Sequence, residues 1–279
     1  VGAAKLSLNS QSASAVQRVN DELLARLRYF ALEPPYVLDL GAGACGASLK
    51  LRESFPGAQI VAADITLAML LKAPRSLWPR SRFSRVAADA SCLPFVDRSF
   101  DLVYSSLLLP FCDSPERVFD EVARVLKEGG LFLFASFGPD TLAELRSAWQ
   151  QVERGELVNQ FPNLPQLGDA LMHSGLVEPV MDTERHQLHY ANVEALLQEL
   201  KDTGAQGALR ARRAGLTGRG RRLRMIKAYE AARTPLGIPA TFEVIFGAAF
   251  AGRSGRNSAG EDAGEVAIPV SSISRHFRR

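Results

Sequence analysis

The sequence predicts an α/β fold, a doubly wound and mostly parallel sheet with helices on both faces. Three observations predict it. Short apolar runs alternate with segments of helical periodicity over 35–137. A glycine turn, Gly41-Ala42-Gly43-Ala44-Cys45-Gly46, joins the first apolar run to the first of those helices. Aspartates Asp39, Asp64 and Asp89 close successive predicted strands. Ligands of open α/β sheets bind along the carboxyl edge of the strands, so these acids mark a site as well as a fold.

The elements follow in order. Val16, Val19, Leu23, Leu24 and Leu27 fall on one face and predict a helix over 13–27, which Pro34-Pro35 ends. Strands are predicted at 37–40, 58–63, 83–88, 100–105 and 131–137. Helices fall between them at 47–55, 68–72 and 115–126. The last turns Val118, Val122, Val125 and Leu126 inward, and Gly129-Gly130 leads from it into the fifth strand. Beyond 137 the rhythm changes. A helix is predicted at 140–152, a loop at 162–165 and a short helix at 167–173, stopped by Gly175. An alternating strand follows at 180–190, an amphipathic helix at 193–200 and a final strand at 240–251. The Gly/Ser-rich composition of 253–264 predicts a mobile segment, and 268–273 an edge strand.

Composition bounds the function. The 279 residues carry a net charge of +3, which excludes a general nucleic-acid binder. No run approaches the roughly 18 apolar residues of a membrane span. No secretory signal is visible in the first residues. Cys45, Cys92 and Cys112 are odd in number and lack metal-ligand spacing. The expectation is a cytoplasmic protein without disulfides or a metal.

The glycines permit close backbone approach, and the helix behind them presents unpaired N–H groups to an anion. Such a turn alone is weak evidence, because dinucleotide folds use it too. Asp39, two residues before Gly41, shifts the reading: a carboxylate there suits a ligand's ammonium or a loop amide better than a pyrophosphate. Asp64 lies at about the 20-residue spacing of a ribose-binding acid. Asp89 can meet an adenine amino group, with Ala90 leaving room for the ring. An N-cap or turn role is the bland alternative for each acid taken singly. Cys45 is read as a small residue in the turn, and His173, His186, His189 and His276 as scattered packing or surface residues.

The run Val37-Leu38-Asp39-Leu40-Gly41-Ala42-Gly43 resembles the first motif of class I S-adenosylmethionine-dependent methyltransferases. Leu93-Pro94-Phe95 with Ser99-Phe100-Asp101-Leu102-Val103 is similar to that superfamily's fourth-strand block. Glu121-Val122-Ala123-Arg124-Val125-Leu126-Lys127-Glu128-Gly129-Gly130 is similar to the helix and turn before its fifth strand. Further on, Phe137-Gly138-Pro139-Asp140-Thr141-Leu142-Ala143-Glu144-Leu145-Arg146 resembles the malonyl-[acyl-carrier protein] O-methyltransferases of biotin synthesis. So do Leu167-Gly168-Asp169-Ala170-Leu171, Gly215-Leu216-Thr217-Gly218-Arg219, Thr241-Phe242-Glu243-Val244 with Gly247, and Ile268-Pro269-Val270. The sequence departs from that family before its first helix, where 7–14 has no aromatic residue, and at Pro110-Phe111, Phe242 and Phe250.

The resemblance implies a seven-stranded sheet with an inserted helical cap. It implies an N-terminal helical segment or lid at 1–34 and an S-adenosylmethionine-binding core at 35–150. A substrate cap with an Arg-rich stretch follows at 151–239, then C-terminal strands and a tail at 240–279. Cofactor contacts are expected from Asp39, Gly41, Gly43, Asp64, Ile65, Asp89, Ala90 and Ser105. The implied reaction is methyl transfer to the free carboxylate of a malonyl group on acyl carrier protein. A carboxylate acceptor calls for a cation, and Arg185, Lys201, Arg210 and Arg212 are the candidates, with solvent exposure the alternative for Arg185. The basic residues Arg210, Arg212, Arg213, Arg219, Arg221, Arg222, Arg224 and Lys227 form the strongest charge asymmetry. Acidic carrier protein, plain solvation and nucleic acid are the three readings of that patch. Two other functions remain open from sequence: an assembly factor that hydroxylates a protein arginine, similar around 238–241, and a non-catalytic cofactor-binding scaffold.

Overall fold

The structure is a computed structural model, and it describes residues 14–72, 83–152, 161–202 and 218–252. The predicted mobile segment at 253–264, the edge strand at 268–273, and both Arg210 and Arg212 lie outside these residues.

The first five strands are β1 (Tyr36–Leu40), β2 (Gln59–Asp64), β3 (Phe83–Ala87), β4 (Phe100–Ser106) and β5 (Leu126–Phe137). They pair in parallel. Two long strands, β6 (Leu176–Tyr190) and β7 (Ile238–Ala251), return antiparallel beside β5. The result is one seven-stranded sheet of order β3-β2-β1-β4-β5-β7-β6. Its order reverses between β1 and β4, which makes the crevice at their carboxyl ends the expected ligand position.

Side-chain alternation divides the core between the two faces. Leu131, Leu133 and Ala135 of β5 join one buried cluster, while Phe132 and Phe134 join the other. The first cluster takes helices α1 (Ala15–Arg26), α2 (Gly46–Ser54), α5 (Ala143–Gln150), α7 (Val193–Asp202) and α8 (Arg219–Glu230). The second takes α4 (Pro115–Val125) and α6 (Leu164–His173). The four-residue α3 (Leu67–Leu70) follows β2 and buries Leu70. Among the described residues no helix is long and apolar enough to cross a membrane.

Local chemistry explains the helix starts near the crevice. Ser14 and Gln17 form a reciprocal capping box at the start of α1, each side chain accepting the other's backbone N–H at 3.2 Å. Ser114 caps α4 by accepting the Arg117 N–H, and Pro115 occupies the first turn. At the far end of α1, Arg26 holds Asp182 of β6 through two hydrogen bonds of 2.7 and 2.9 Å. It also reaches Glu184 and lies 3.9 Å over the Phe246 ring. The N-terminal helix is thereby fastened across the sheet, with its capped start left at the crevice. Close approach between strands has its own signature at Gly247: a Cβ there would meet Phe134 at 2.3 Å.

Candidate functional site

The crevice between β1 and β4 opens into a cavity of about 970 Å³. Asp39, Gly41, Gly43, Asp64, Ile65, Asp89 and Ala90 all line it, so the structure brings these seven sequence-predicted residues together. Ser105 is placed differently. Its side chain is buried on the strand face it shares with Val103, and its hydroxyl has no hydrogen-bond partner. Ser106, one residue on, lines the cavity instead. Strand alternation accounts for the difference, since neighbours point to opposite faces.

The glycine turn is shaped by backbone needs. Gly41 adopts φ +79°, and a Cβ there would meet the Leu108 side chain at 2.9 Å. Gly43, at φ +52°, would project a Cβ into open space. One glycine thus allows packing of the turn against the segment after β4, and the other keeps the cavity clear. Leu107, at φ +58°, is the non-glycine residue that turns the chain after β4 and delivers Leu108. Left-handed backbone of that kind is costly and concentrates at functional sites.

Each acid has a definite setting. Asp64 accepts the Gly43 N–H at 2.9 Å and the Thr66 N–H at 2.8 Å, which ties the turn to the end of β2. Asp89 accepts the Ser91 N–H and hydroxyl at 2.8 and 2.7 Å. Those bonds hold its carboxyl below the usual range. Asp39 lies one residue before the end of β1, almost fully buried, and accepts the Ser48 hydroxyl of α2. Burial raises its pKa to about 7 against the opposing effect of the Ser48 hydrogen bonds, with the Asp64 charge adding to the rise. A buried carboxylate that titrates near neutrality is a ready partner for a ligand cation.

The residues present fit S-adenosylmethionine. Asp39, Asp64 and Asp89 line one cavity with the glycine turn, which supplies the hydrogen-bond acceptors that a ligand with ammonium, hydroxyl and amino groups needs. The cradle beyond Gly43, which a side chain would fill, leaves the space such a ligand requires. The Glu121–Arg124 pair, part of the sequence block before β5, works one layer out. Arg124 bonds Glu121 and the carbonyls of Leu93 and Phe95, while Glu121 accepts the Leu93 N–H at 2.6 Å. That network fixes the loop that follows Asp89 and Ala90.

The cation candidates separate clearly. Arg185 is exposed on β6 and ion-paired with Asp140, outside the cavity lining. Lys201 is exposed on α7; its neighbour Asp202 lines the cavity. Sequence reasoning missed other parts of the wall, among them Ser14 at the cap of α1, Gln17 and Asn20 of α1, Arg117 of α4, Phe137 and Asp202. No local motif announces them, because they converge from distant segments.

Comparison with known proteins gives this geometry a family. Residues 38–134 match the family described as "Methyltransferase domain". A curated malonyl-[acyl-carrier protein] O-methyltransferase of Nitrosospira multiformis is 40% identical, over 87% of this chain and 84% of its own length. A protein of Coxiella burnetii, malonyl-[acyl-carrier protein] O-methyltransferase 1, is 38% identical over 92% of this chain and 88% of its own. Among solved structures, YcgJ of Bacillus subtilis superposes with a TM-score of 0.59 at 20% identity, covering 84% of this chain and 99% of that one. The cyclase SpnF superposes with a TM-score of 0.56 at 18% identity, covering 88% and 86%. Likeness at that identity shows the class I methyltransferase fold, and a cyclase within it shows that fold alone does not name a reaction. The sequence relatives do name one across most of both chains, at 40% and 38% identity: this chain belongs to the malonyl-[acyl-carrier protein] O-methyltransferase family of S-adenosylmethionine-dependent methyltransferases.

Proposed function

We propose that this chain converts the free carboxylate of malonyl-acyl carrier protein to its methyl ester, with S-adenosylmethionine as donor. The observation that carries the reading is one cavity with two kinds of wall. The glycine turn and its three acids form one wall, and α1, α4 and α7 form the other. Bound against the first wall, S-adenosylmethionine supplies an activated methyl group.

The chain's own residues have simple duties. Gly41 and Gly43 let the backbone approach the donor, Asp64 and Asp89 offer acceptors to hydroxyl and amino groups, and Asp39 offers a buried carboxylate to an ammonium. A malonyl carboxylate is ionised at neutral pH, so no proton has to be removed from it. Cys112, which lines the cavity, is pushed up to about 11, chiefly by burial and further by Asp89 and Asp113. It stays a neutral thiol and does not compete as a nucleophile. Catalysis then rests on holding two reactants in line, for which effective molarities of about 10⁵ M or more are attainable.

On this reading 35–150 holds the donor, while the N-terminal segment and 151–239 shape the acceptor's side. The start of α8 suits the acidic carrier. Arg219, Arg221, Arg222, Leu223 and Arg224 are all exposed, while Met225 and Tyr229 further along anchor the helix. Tyr229 donates to the Pro239 carbonyl at 2.9 Å. An exposed, basic helix start supports electrostatic steering of an acidic partner.

The test is the mass of malonyl-acyl carrier protein after incubation with the protein and S-adenosylmethionine. A gain of one methyl group supports the proposal. No gain, with donor binding intact by calorimetry, overturns it in favour of a scaffold; a hydroxylated arginine on a protein substrate instead points to the assembly-factor reading.

A further inference from the structure

Among the described residues, the cavity wall carries five carboxyl side chains: Asp39, Asp64, Asp89, Asp113 and Asp202. It carries one basic side chain, Arg117. A ligand that enters as an anion therefore meets a largely acidic wall with a single described point of attraction. That imbalance singles out Arg117, which no sequence motif marks.

Arg117 belongs to the first turn of α4, where its backbone N–H bonds the Ser114 hydroxyl. Its guanidinium makes no hydrogen bond or ion pair among the described residues, and its side chain is exposed. Other arginines of the same region are committed elsewhere. Arg124, on the same helix, bonds Glu121, Asp97 and two carbonyls. Arg146 bonds the carbonyls of Pro139 and Thr141, and Arg185 pairs with Asp140. Arg117 is the guanidinium left available at the cavity, beside Phe111 and Ser114 on the segment that follows β4.

We propose that Arg117 receives the free carboxylate of the malonyl acceptor and selects for it; this rests on the reaction proposed above. A guanidinium matches a carboxylate with two parallel N–H donors. Its exposure matters for the chemistry as well. A fully buried pair would hold both oxygens tightly and blunt the nucleophile, whereas an exposed guanidinium leaves its partner partly hydrated and screened. Arg117 orients the acceptor and offsets the acidic wall; it takes no proton.

The carrier's prosthetic arm also bears a phosphate, so the test must separate two anions. With S-adenosylhomocysteine present to prevent turnover, the affinities of malonyl-acyl carrier protein and of its methyl ester are measured for the unmodified chain, Arg117→Gln and Arg117→Lys. Both ligands carry the phosphate, and only the first carries the carboxylate. Arg117→Gln is expected to weaken malonyl-acyl carrier protein about tenfold, equivalent to about 1.4 kcal/mol, and to leave the ester unchanged. Arg117→Lys should fall between, and affinity for S-adenosylmethionine should hold in both variants. Equal weakening of acid and ester assigns Arg117 to the phosphate or carrier surface and overturns the proposal. So does no change in either ligand, or a loss confined to the methyl donor. If the unmodified chain forms no methyl ester, the reaction itself falls, and this assignment with it.

Discussion

The two walls of the cavity are built in different ways. The wall proposed for the donor comes from short, nearly contiguous stretches: 39–47, 63–66, 88–91 and 106–108. Each stretch sits at or just beyond the carboxyl end of a parallel strand, and hydrogen bonds such as Gly43 to Asp64 join one stretch to the next. The acceptor wall gathers single side chains from α1, α4, the end of β5 and the end of α7, with Ala15 of α1 bonded to Glu199 of α7 at 2.8 Å. A site made from strand ends inherits the rigidity of the sheet. A site made from helix ends depends on how those helices are fastened, as Arg26 fastens α1 to β6. The donor wall should therefore be sensitive to single backbone changes, and the acceptor wall more tolerant.

The sharpest way to break this contrast is Gly41→Val. The change forces a branched side chain into φ +79° and drives its Cβ into Leu108 at 2.9 Å. Affinity for S-adenosylmethionine should fall by about 100-fold or more, by analogy with strained left-handed positions. Titration calorimetry reads the loss, and far-ultraviolet circular dichroism should show the sheet retained.

Asp64→Ala comes next. It removes the acceptor for the Gly43 and Thr66 N–H groups together with the one proposed for the ribose. Donor affinity should drop about tenfold to 100-fold, as expected for one or two charge-assisted hydrogen bonds. The KM for malonyl-acyl carrier protein at saturating donor should move little. A comparable rise in that KM would show that the two walls are not separable.

Asp39 gives a pH signature. Its folded pKa of about 7 lies above its ordinary value of 3.8, because burial disfavours the charged form. The ligand-free protein therefore binds an extra proton between those values. The contribution of this group to stability is greatest below pH 4, declines as pH rises towards 7 and is level above it. Binding of an ammonium group favours the ionised form, so donor affinity should rise with pH through 7, by up to about tenfold between pH 6 and 8. Asp39→Asn should flatten both curves. A variant that keeps the slope would remove Asp39 from donor binding.

The smallest expected effect lies outside the cavity, on α8. Reversing charge at Arg221 and Arg222 should raise the KM for the carrier-bound substrate about threefold to tenfold at low salt, and less at high salt. Donor affinity and activity on a small malonyl thioester should be preserved. Equal activity on the carrier substrate at low salt would leave α8 as a solvated face.

The same division explains what was legible beforehand. Strand and helix alternation over 35–137 gave nearly every element of the parallel half, with shifts of a few residues at the ends. The main difference there is β5, which starts at Leu126 and not at 131, because the chain enters the strand directly after α4. Asp39, Asp64 and Asp89 were visible because the chemistry of a strand end is local. The sequence does not tell which of Ser105 and Ser106 turns its side chain to the cavity, because pleat direction decides it, and Ser106 is the one that lines it. Helix α8 was read only as a cluster of charge. Its first turn is basic, and the face that packs is marked late, by Met225 and Tyr229 with Ile226 and Ala228 beside them.

By itself, then, the sequence determined the doubly wound fold, the glycine turn and the family, since these depend on residues a few positions apart. Tertiary structure alone decided the wall proposed for the acceptor. Arg117, Asn20, Phe137 and Asp202 come together only because parallel strands put their carboxyl ends on one edge and the helices at 15–26 and 193–202 are packed over it. Periodicity says which way a helix faces its own neighbours; it does not say which distant helix end will share a cavity.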